Sequence, residues 1–200
     1  MIIIPSGHYY YEITINGELT AVEEAWVRPG SLTARRESAA NKAAYEVEAA
    51  VDNSGFVYRI QLRYRHGPFA RSARYDVIDD VMQGSIRTLS TTSSAQVQLG
   101  RFREVDADLT ICKTLIVAHL RRREQRQWTG KVALIDSTTL LARAVKQSYA
   151  QTDAVGLTWL FEPTMGERET LEFDHSDRLL RARDQRGFEA KLRSADGRSA

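Results

Sequence analysis

Apolar and polar side chains alternate with a period of two along most of this chain. That period belongs to half-buried β-strands and excludes a mainly helical fold. Tyr9, Tyr11, Ile13 and Ile15 open the pattern, and Leu171, Phe173, Leu180 and Ala182 continue it near the other end. Strands are expected from His8 to Asn16, Leu19 to Arg28, Ser31 to Ser38 and Tyr45 to Val51, with turns at Gly17-Glu18 and Pro29-Gly30. Ala39 to Lys42 reads as a loop or one helical turn. Asn53-Ser54-Gly55 closes the next hairpin, because glycine accepts the positive φ that such turns need. A two-residue loop at Ser54-Gly55 would set Val51 opposite Tyr58 and Glu46 opposite Arg63. Phe56, Tyr58, Ile60, Leu62 and Tyr64 then share one face and Val57, Arg59, Gln61, Arg63 and Arg65 the other.

Shorter strands are expected at Arg74 to Asp79, Ile86 to Thr91 and Ala95 to Leu99, divided at Gly84-Ser85 and Thr92-Ser93-Ser94. Asp106-Ala107-Asp108 before an apolar run, and Arg121-Arg122-Arg123 after it, place acid and base where a helix dipole favours them. One helix is expected from Asp108 to Arg122. Lys131 to Ile135 is strand-like, and Leu140 to Tyr149 reads as a helix capped by Ser137 or as a strand. Leu157 to Glu162, Thr170 to Asp174, Leu179 to Asp184 and Phe188 to Arg193 form a closing antiparallel meander, followed by a polar, frayed tail from Ser194. The fold class implied is mainly β: a curved antiparallel sheet or incomplete barrel with one helix packed on its concave face. A length of 200 residues without a Pro-, Gly- or Ser-rich linker suggests one domain, residues 1–200.

Composition narrows function mainly by exclusion. The single cysteine, Cys112, rules out an intramolecular disulfide and any multi-cysteine metal site. Lysine and arginine total 28 against 26 acidic residues, a balance too even to steer the chain toward nucleic acid. No window approaches the roughly 18 apolar residues of a spanning helix. The N-terminal Met1-Ile2-Ile3-Ile4-Pro5 run lacks the plan of a signal peptide, so a cytoplasmic location is the expectation, or a periplasmic one if the chain is truncated.

The long strands, the one helix and the run Leu171-Glu172-Phe173-Asp174 followed by Arg178-Leu179-Leu180-Arg181 resemble half-barrel proteins of the bacterial lipoprotein-carrier type and their uncharacterised relatives. The opening Tyr11-Glu12-Ile13-Thr14-Ile15-Asn16-Gly17 is similar to how those relatives begin. The resemblance implies a concave sheet and helix holding an acyl chain or other apolar ligand. The chain departs from that group in having neither a signal peptide nor a lipobox cysteine.

Few side-chain constellations carry chemistry. His8, His66, His119 and His175 lack metal-binding spacing and read as surface or turn histidines. Asp174-His175-Ser176-Asp177 holds the residue types of a hydrolytic triad, but four consecutive residues read as a turn. Asp106-Ala107-Asp108 is better explained by helix capping than by a metal-binding DxD, and Asp76, Asp79 and Asp80 lack the other ligands of a calcium loop. The cluster Arg121-Arg122-Arg123, Arg126 and Trp128 reads as a solvated helix terminus or a contact for an acidic partner. No glycine-rich phosphate loop occurs. Cys112 reads as a buried thiol.

One oddity stands on the second strand. Val22, Glu24 and Trp26 share a face, so a core there would bury Glu24, whereas the other face, Ala21, Ala25 and Val27, would bury Glu23. An arginine partner is the ordinary solution, and a head-group contact at the mouth of an apolar cradle is the functional one. The inward aromatic set would then line that cradle, giving candidate ligand residues Tyr9, Tyr11, Glu24, Trp26, Tyr58, Tyr64, Trp159 and Phe173. No catalytic, metal or cofactor residue is assigned. The reading that results is non-enzymatic binding of a lipid or other apolar small molecule. The alternatives are a protein-interaction module using strand edges or the basic patch, and a hydrolase or transferase.

Overall fold

A computed structural model describes residues 5–100, 103–164 and 166–196. The N-terminal half is a run of antiparallel hairpins: β1 (Gly7–Ile15), β2 (Glu18–Arg28), β3 (Ser31–Ser38), β4 (Ala44–Val51), β5 (Val57–His66), β6 (Phe69–Ile78), β7 (Val81–Arg87) and β8 (Thr92–Gln98). A two-residue strand, β9 (Val105–Asp106), leads into the helix α1 (Thr110–Arg122). The chain then returns through β10 (Gln127–Ile135), β11 (Ala142–Gln151), β12 (Thr158–Pro163), β13 (Glu169–Phe173), β14 (Leu179–Asp184) and β15 (Phe188–Asp196). All fifteen strands form one sheet, ordered β8 to β1 and then β15 down to β9, so β1 and β15 pair at its centre. β9 is parallel to β10, and the neighbours along the rest of the sheet run antiparallel.

The sheet curls until β8 lies against β11. Beyond β8, a Cβ on Gly100 would stand 2.9 Å from the Lys131 carbonyl oxygen, so only glycine allows the chain to approach β10 so closely. The result is an open, barrel-like half-shell wound round the helix. Thr114 to Leu120 are buried without a break, close to two full turns, so every face of α1 is covered. Ile111, Cys112, Leu115 and Ala118 pack with Tyr9, Val47, Leu62 and Tyr75 from β1 to β8. Ile116, Val117 and Leu120 pack with Trp128, Tyr149, Trp159 and Phe173 from β10 to β15. The helix therefore divides the interior into two apolar halves and fills the concavity instead of roofing it.

Several expected boundaries move. Gly84 lies inside β7, opposite Tyr75 and Ala95, and the turn falls at Asp79-Asp80 instead. A side chain at Gly84 would collide with the Arg74 carbonyl oxygen and the Tyr75 ring, so this glycine marks close packing within a strand. The stretch read as helix or strand from Leu140 is strand from Ala142 onward, with Leu140 left in the turn, and Ser137 donates to Asp108 across the mouth instead of capping a helix. The expected frayed tail is ordered at its start, because β15 extends to Asp196, which pairs with His8; residues 197–200 lie outside the described residues. At the β4–β5 hairpin Glu46 faces Arg63 as expected, but a bulge makes Tyr58 the extra residue. Val57, not Tyr58, then meets Val51.

Candidate functional site

The buried acid on β2 is Glu23. Pairing with β1 and β3 sets Glu23 opposite Tyr11 and Arg36, and turns Glu23, Ala25 and Val27 inward. Glu24 and Trp26 take the opposite face, where the Trp26 ring stacks on His8 at 4.8 Å and the Glu24 carboxylate lies 4.0 Å from His8 Nε2. Of the two faces the sequence left open, the core therefore takes that of Ala25 and Val27 with Glu23, and Glu24, offered as a ligand residue, lies on the other face. Strand register, set by the long hairpins, overrides the greater hydrophobicity of the Val22, Glu24 and Trp26 triplet.

Glu23 performs a task assigned by sequence to Asp106 and Asp108. The helix begins after Leu109, whose side chain makes no cap hydrogen bond. Instead the Glu23 carboxylate accepts the Thr110 N–H at 3.0 Å and the Ile111 N–H at 3.1 Å. Arg36 donates to the same carboxylate through Nε at 3.2 Å and Nη2 at 2.9 Å. A strand 87 residues away in sequence thus satisfies two orphan donors of the helix and complements its dipole.

A cleft of about 320 Å³ opens beside this helix N-terminus. Leu109, Leu134, Phe161, Pro163 and Phe188 supply its apolar wall. Asp106 lies buried on its floor, where its carboxylate accepts from Gln147 Nε2 at 3.0 Å and from the Asp108 N–H at 2.9 Å. Burial pushes the Asp106 carboxyl up from its ordinary range, against the attraction of Lys113. One turn into the helix, the Lys113 ammonium reaches both Glu169 carboxylate oxygens, at 2.5 and 2.7 Å. It also stands 5.0 Å from the Phe161 ring centroid and 5.7 Å from that of Phe188. Arg36 and Lys113 are outnumbered in the lining by Asp106, Asp108, Glu167, Glu169 and Asp184, so the cleft is acidic. Such a site can hold an apolar body against the phenyl rings and a polar group against buried acceptors.

The candidate ligand residues are dispersed. Tyr9 and Tyr11 are buried in one half of the core and Trp159 and Phe173 in the other. Tyr64 is half-buried, and Tyr58, displaced by its bulge, is exposed. None of the eight lines the cleft. Its polar floor had no local sequence signal, because Asp106, Lys113, Gln147 and Glu169 meet only through the fold. Gln147, a polar residue between Val145 and Tyr149 on one strand face, was the one available hint.

At the other end of α1, His119 Nδ1 lies 2.9 and 3.0 Å from the Glu104 oxygens, with both side chains buried. The His119 ring rests on Phe56 at 4.6 Å between centroids, and burial raises the Glu104 carboxyl. Asp174 to Asp177 form a turn: Asp174 accepts the Ser176 and Arg178 N–H groups, and Asp177 pairs with Arg121. Trp128 is buried in the core and so presents no stacking platform beside the arginines. The Cys112 thiol is buried and held far above its ordinary pKa by desolvation. Among the described residues no group of three or more His, Cys, Asp or Glu side chains could hold a metal ion. Among those residues, too, no helix is long and apolar enough to cross a membrane.

The fold places the chain among open, barrel-like β proteins wound round one helix. No family model matches the sequence, and no curated protein matches it. Two solved structures share the architecture. A DUF1089-family protein from Pseudomonas aeruginosa superposes with a TM-score of 0.58 at 11% identity, over 82% of this chain and 90% of that one. A β-barrel-like protein of the domain of unknown function DUF1849, from Brucella abortus, gives a TM-score of 0.56 at 8% identity over the whole of both chains. At these identities the likeness is one of fold.

Proposed function

We propose that this chain is a non-enzymatic binding module for a lipid or other amphipathic small molecule, held at the mouth of the half-barrel. The observation that carries this reading is the cleft at the N-terminus of α1, about 320 Å³ in volume, with phenyl walls and buried polar groups on its floor. Its volume lies within the range of small-molecule sites. Phe161 and Phe188 would take the apolar body, while Asp106, Gln147 and the Lys113–Glu169 pair would orient the head group. The resemblance in element order to lipoprotein-carrier half-barrels supports an apolar component to the ligand. The helix fills the space in which those carriers hold a chain, so the site proposed here lies at the rim.

Native mass spectrometry and solvent extraction of the purified full chain test the reading. The expected result is a retained amphipath, with the affinity of Phe188→Ala for it reduced about tenfold through lost apolar burial. Protein that purifies empty and binds a fluorescent long-chain alkylammonium amphipath no better than Phe188→Ala would overturn it.

A further inference from the structure

Alternating strand directions bring the β5–β6, β7–β8 and β10–β11 turns to one end of the half-shell, the end onto which the cleft opens. Arg71 Nη1 donates to the Thr138 carbonyl at 3.0 Å and the Tyr75 hydroxyl donates to that of Leu140 at 2.7 Å, tying β6 to the β10–β11 turn. Three large apolar side chains stand at these tips: Phe69 at 66% exposure, Leu89 at 80% and Leu141 at 51%. Just behind them Arg63, Arg65, Arg71 and Arg87 surround a shallow depression of about 200 Å³ with Leu89 on its rim.

The positive charge here is largely uncompensated. Arg63 leans toward Glu46 and Glu48 at 4.0 and 3.7 Å, but Arg65 and Arg87 have no ion-pair partner among the described residues. The hydrogen bond of Arg71 is to a neutral carbonyl. Asp136, on the neighbouring turn, is held as the charged carboxylate by the Thr138 and Thr139 N–H groups and pairs with none of these four arginines. Apolar tips flanked by guanidinium groups match a surface that is anionic at the head-group level and apolar beneath. Guanidinium pairs bidentately with phosphate, and exposed Phe and Leu side chains bury area among acyl chains.

We propose that this end of the molecule docks on an anionic lipid bilayer, which sets the mouth of the cleft against the membrane. The docking surface extends the binding reading but uses different residues, so each can fail alone. The test is flotation of the full chain with phosphatidylcholine vesicles and with vesicles that also contain phosphatidylglycerol. Flotation is expected only with the anionic vesicles and is expected to fall as salt rises. Replacing Arg65 and Arg87 by glutamine should weaken it about fivefold per arginine. Phe69→Ser with Leu89→Ser should weaken it without changing the salt dependence, and Phe188→Ala should leave it unchanged. All substituted side chains but Phe188 are exposed, and circular dichroism checks the fold of every variant.

Equal flotation with neutral vesicles, or no flotation, would overturn the proposal, as would full retention by the arginine variant. Displacement by inorganic phosphate beyond that caused by chloride at equal ionic strength would assign a free-phosphate site instead. A dimer dissolved by Leu89→Ser, with no flotation, would assign the face to a second copy of the chain.

Discussion

Replacing Glu23 by alanine should cost about 3–5 kcal/mol, although the residue lies outside α1 and touches no ligand in the proposed site. Its carboxylate accepts four hydrogen bonds, two from Arg36 and two from the first N–H groups of the helix. Alanine leaves the Thr110 and Ile111 donors orphaned in a buried setting, at about 1–3 kcal/mol each before relaxation. It also strands the Arg36 guanidinium, which is only partly exposed and whose second acid, Asp108, is 3.9 Å away. The lower end of the combined range reflects water reaching Arg36. Against a typical total of about 5–15 kcal/mol this is a large fraction.

Urea titration followed by circular dichroism provides the assay. With a slope of roughly 2 kcal/mol per molar, the midpoint should fall by about 2 M. Glu23→Gln should fall between wild type and alanine, because its one carbonyl oxygen can serve an N–H while its amide group opposes Arg36. A double-mutant cycle with Arg36→Gln should show coupling above about 1 kcal/mol. A loss below about 1 kcal/mol in Glu23→Ala, or additivity in the cycle, would refute the assignment of Glu23 as the remote cap.

Three further outcomes follow from the same geometry. Burial raises the Asp106 carboxyl, so the folded state holds that proton more tightly than the unfolded chain does. Its contribution to stability is full below about pH 4 and declines as pH rises through the raised value, and Asp106→Asn should flatten that part of the stability profile measured by urea titration. Gly84→Ala should destabilise by about 3 kcal/mol in thermal unfolding, because its Cβ would stand 1.9 Å from the Arg74 carbonyl oxygen and 2.7 Å from Tyr75 Cδ1. In calorimetric titration, an amphipath with an ammonium or hydroxyl head should bind the cleft about tenfold more tightly than one with the same tail and a carboxylate.

The period of two was sufficient to read the sheet, its hairpins and the single helix, because alternation survives wherever one face is buried. It failed where a local preference met a tertiary constraint. Gly84 looked like a turn and is a packing glycine against Tyr75. Asp106 and Asp108 looked like caps, but the helix enters through Leu109 in an extended conformation and takes its anion from Glu23. The buried acid was legible as a problem on β2, though not as which of two adjacent glutamates. That choice depends on register with β1 and β3, which a strand carrying apolar residues on both faces does not reveal. The aromatic positions were read well as inward-facing at Tyr9, Tyr11, Trp159 and Phe173. The cleft escaped notice because its floor is assembled from β9, α1, β11 and β13.

A helix buried on all faces changes where this kind of shell can bind. An empty concavity would offer an apolar chamber, but α1 spends both of its apolar faces on the two halves of the sheet. Unfilled space is left at the helix N-terminus, beside β10 to β13. The helix N-terminus would ordinarily make that space attractive to an anion. Here Glu23 already occupies the N–H groups from within, and the Lys113 charge is taken by Glu169. Glu167 is paired in turn with Arg186, so the carboxylates of Asp106, Asp108 and Asp184 set the sign of the cleft, while Arg65 and Arg87, which have no ion-pair partner among the described residues, stand outside behind the hairpin tips. Acid within and base without separate two tasks by charge. On the proposed reading, phosphates would be drawn to the rim and a head group that donates hydrogen bonds would be favoured inside. A carboxylate-headed amphipath that bound as tightly as its ammonium counterpart would contradict that separation directly.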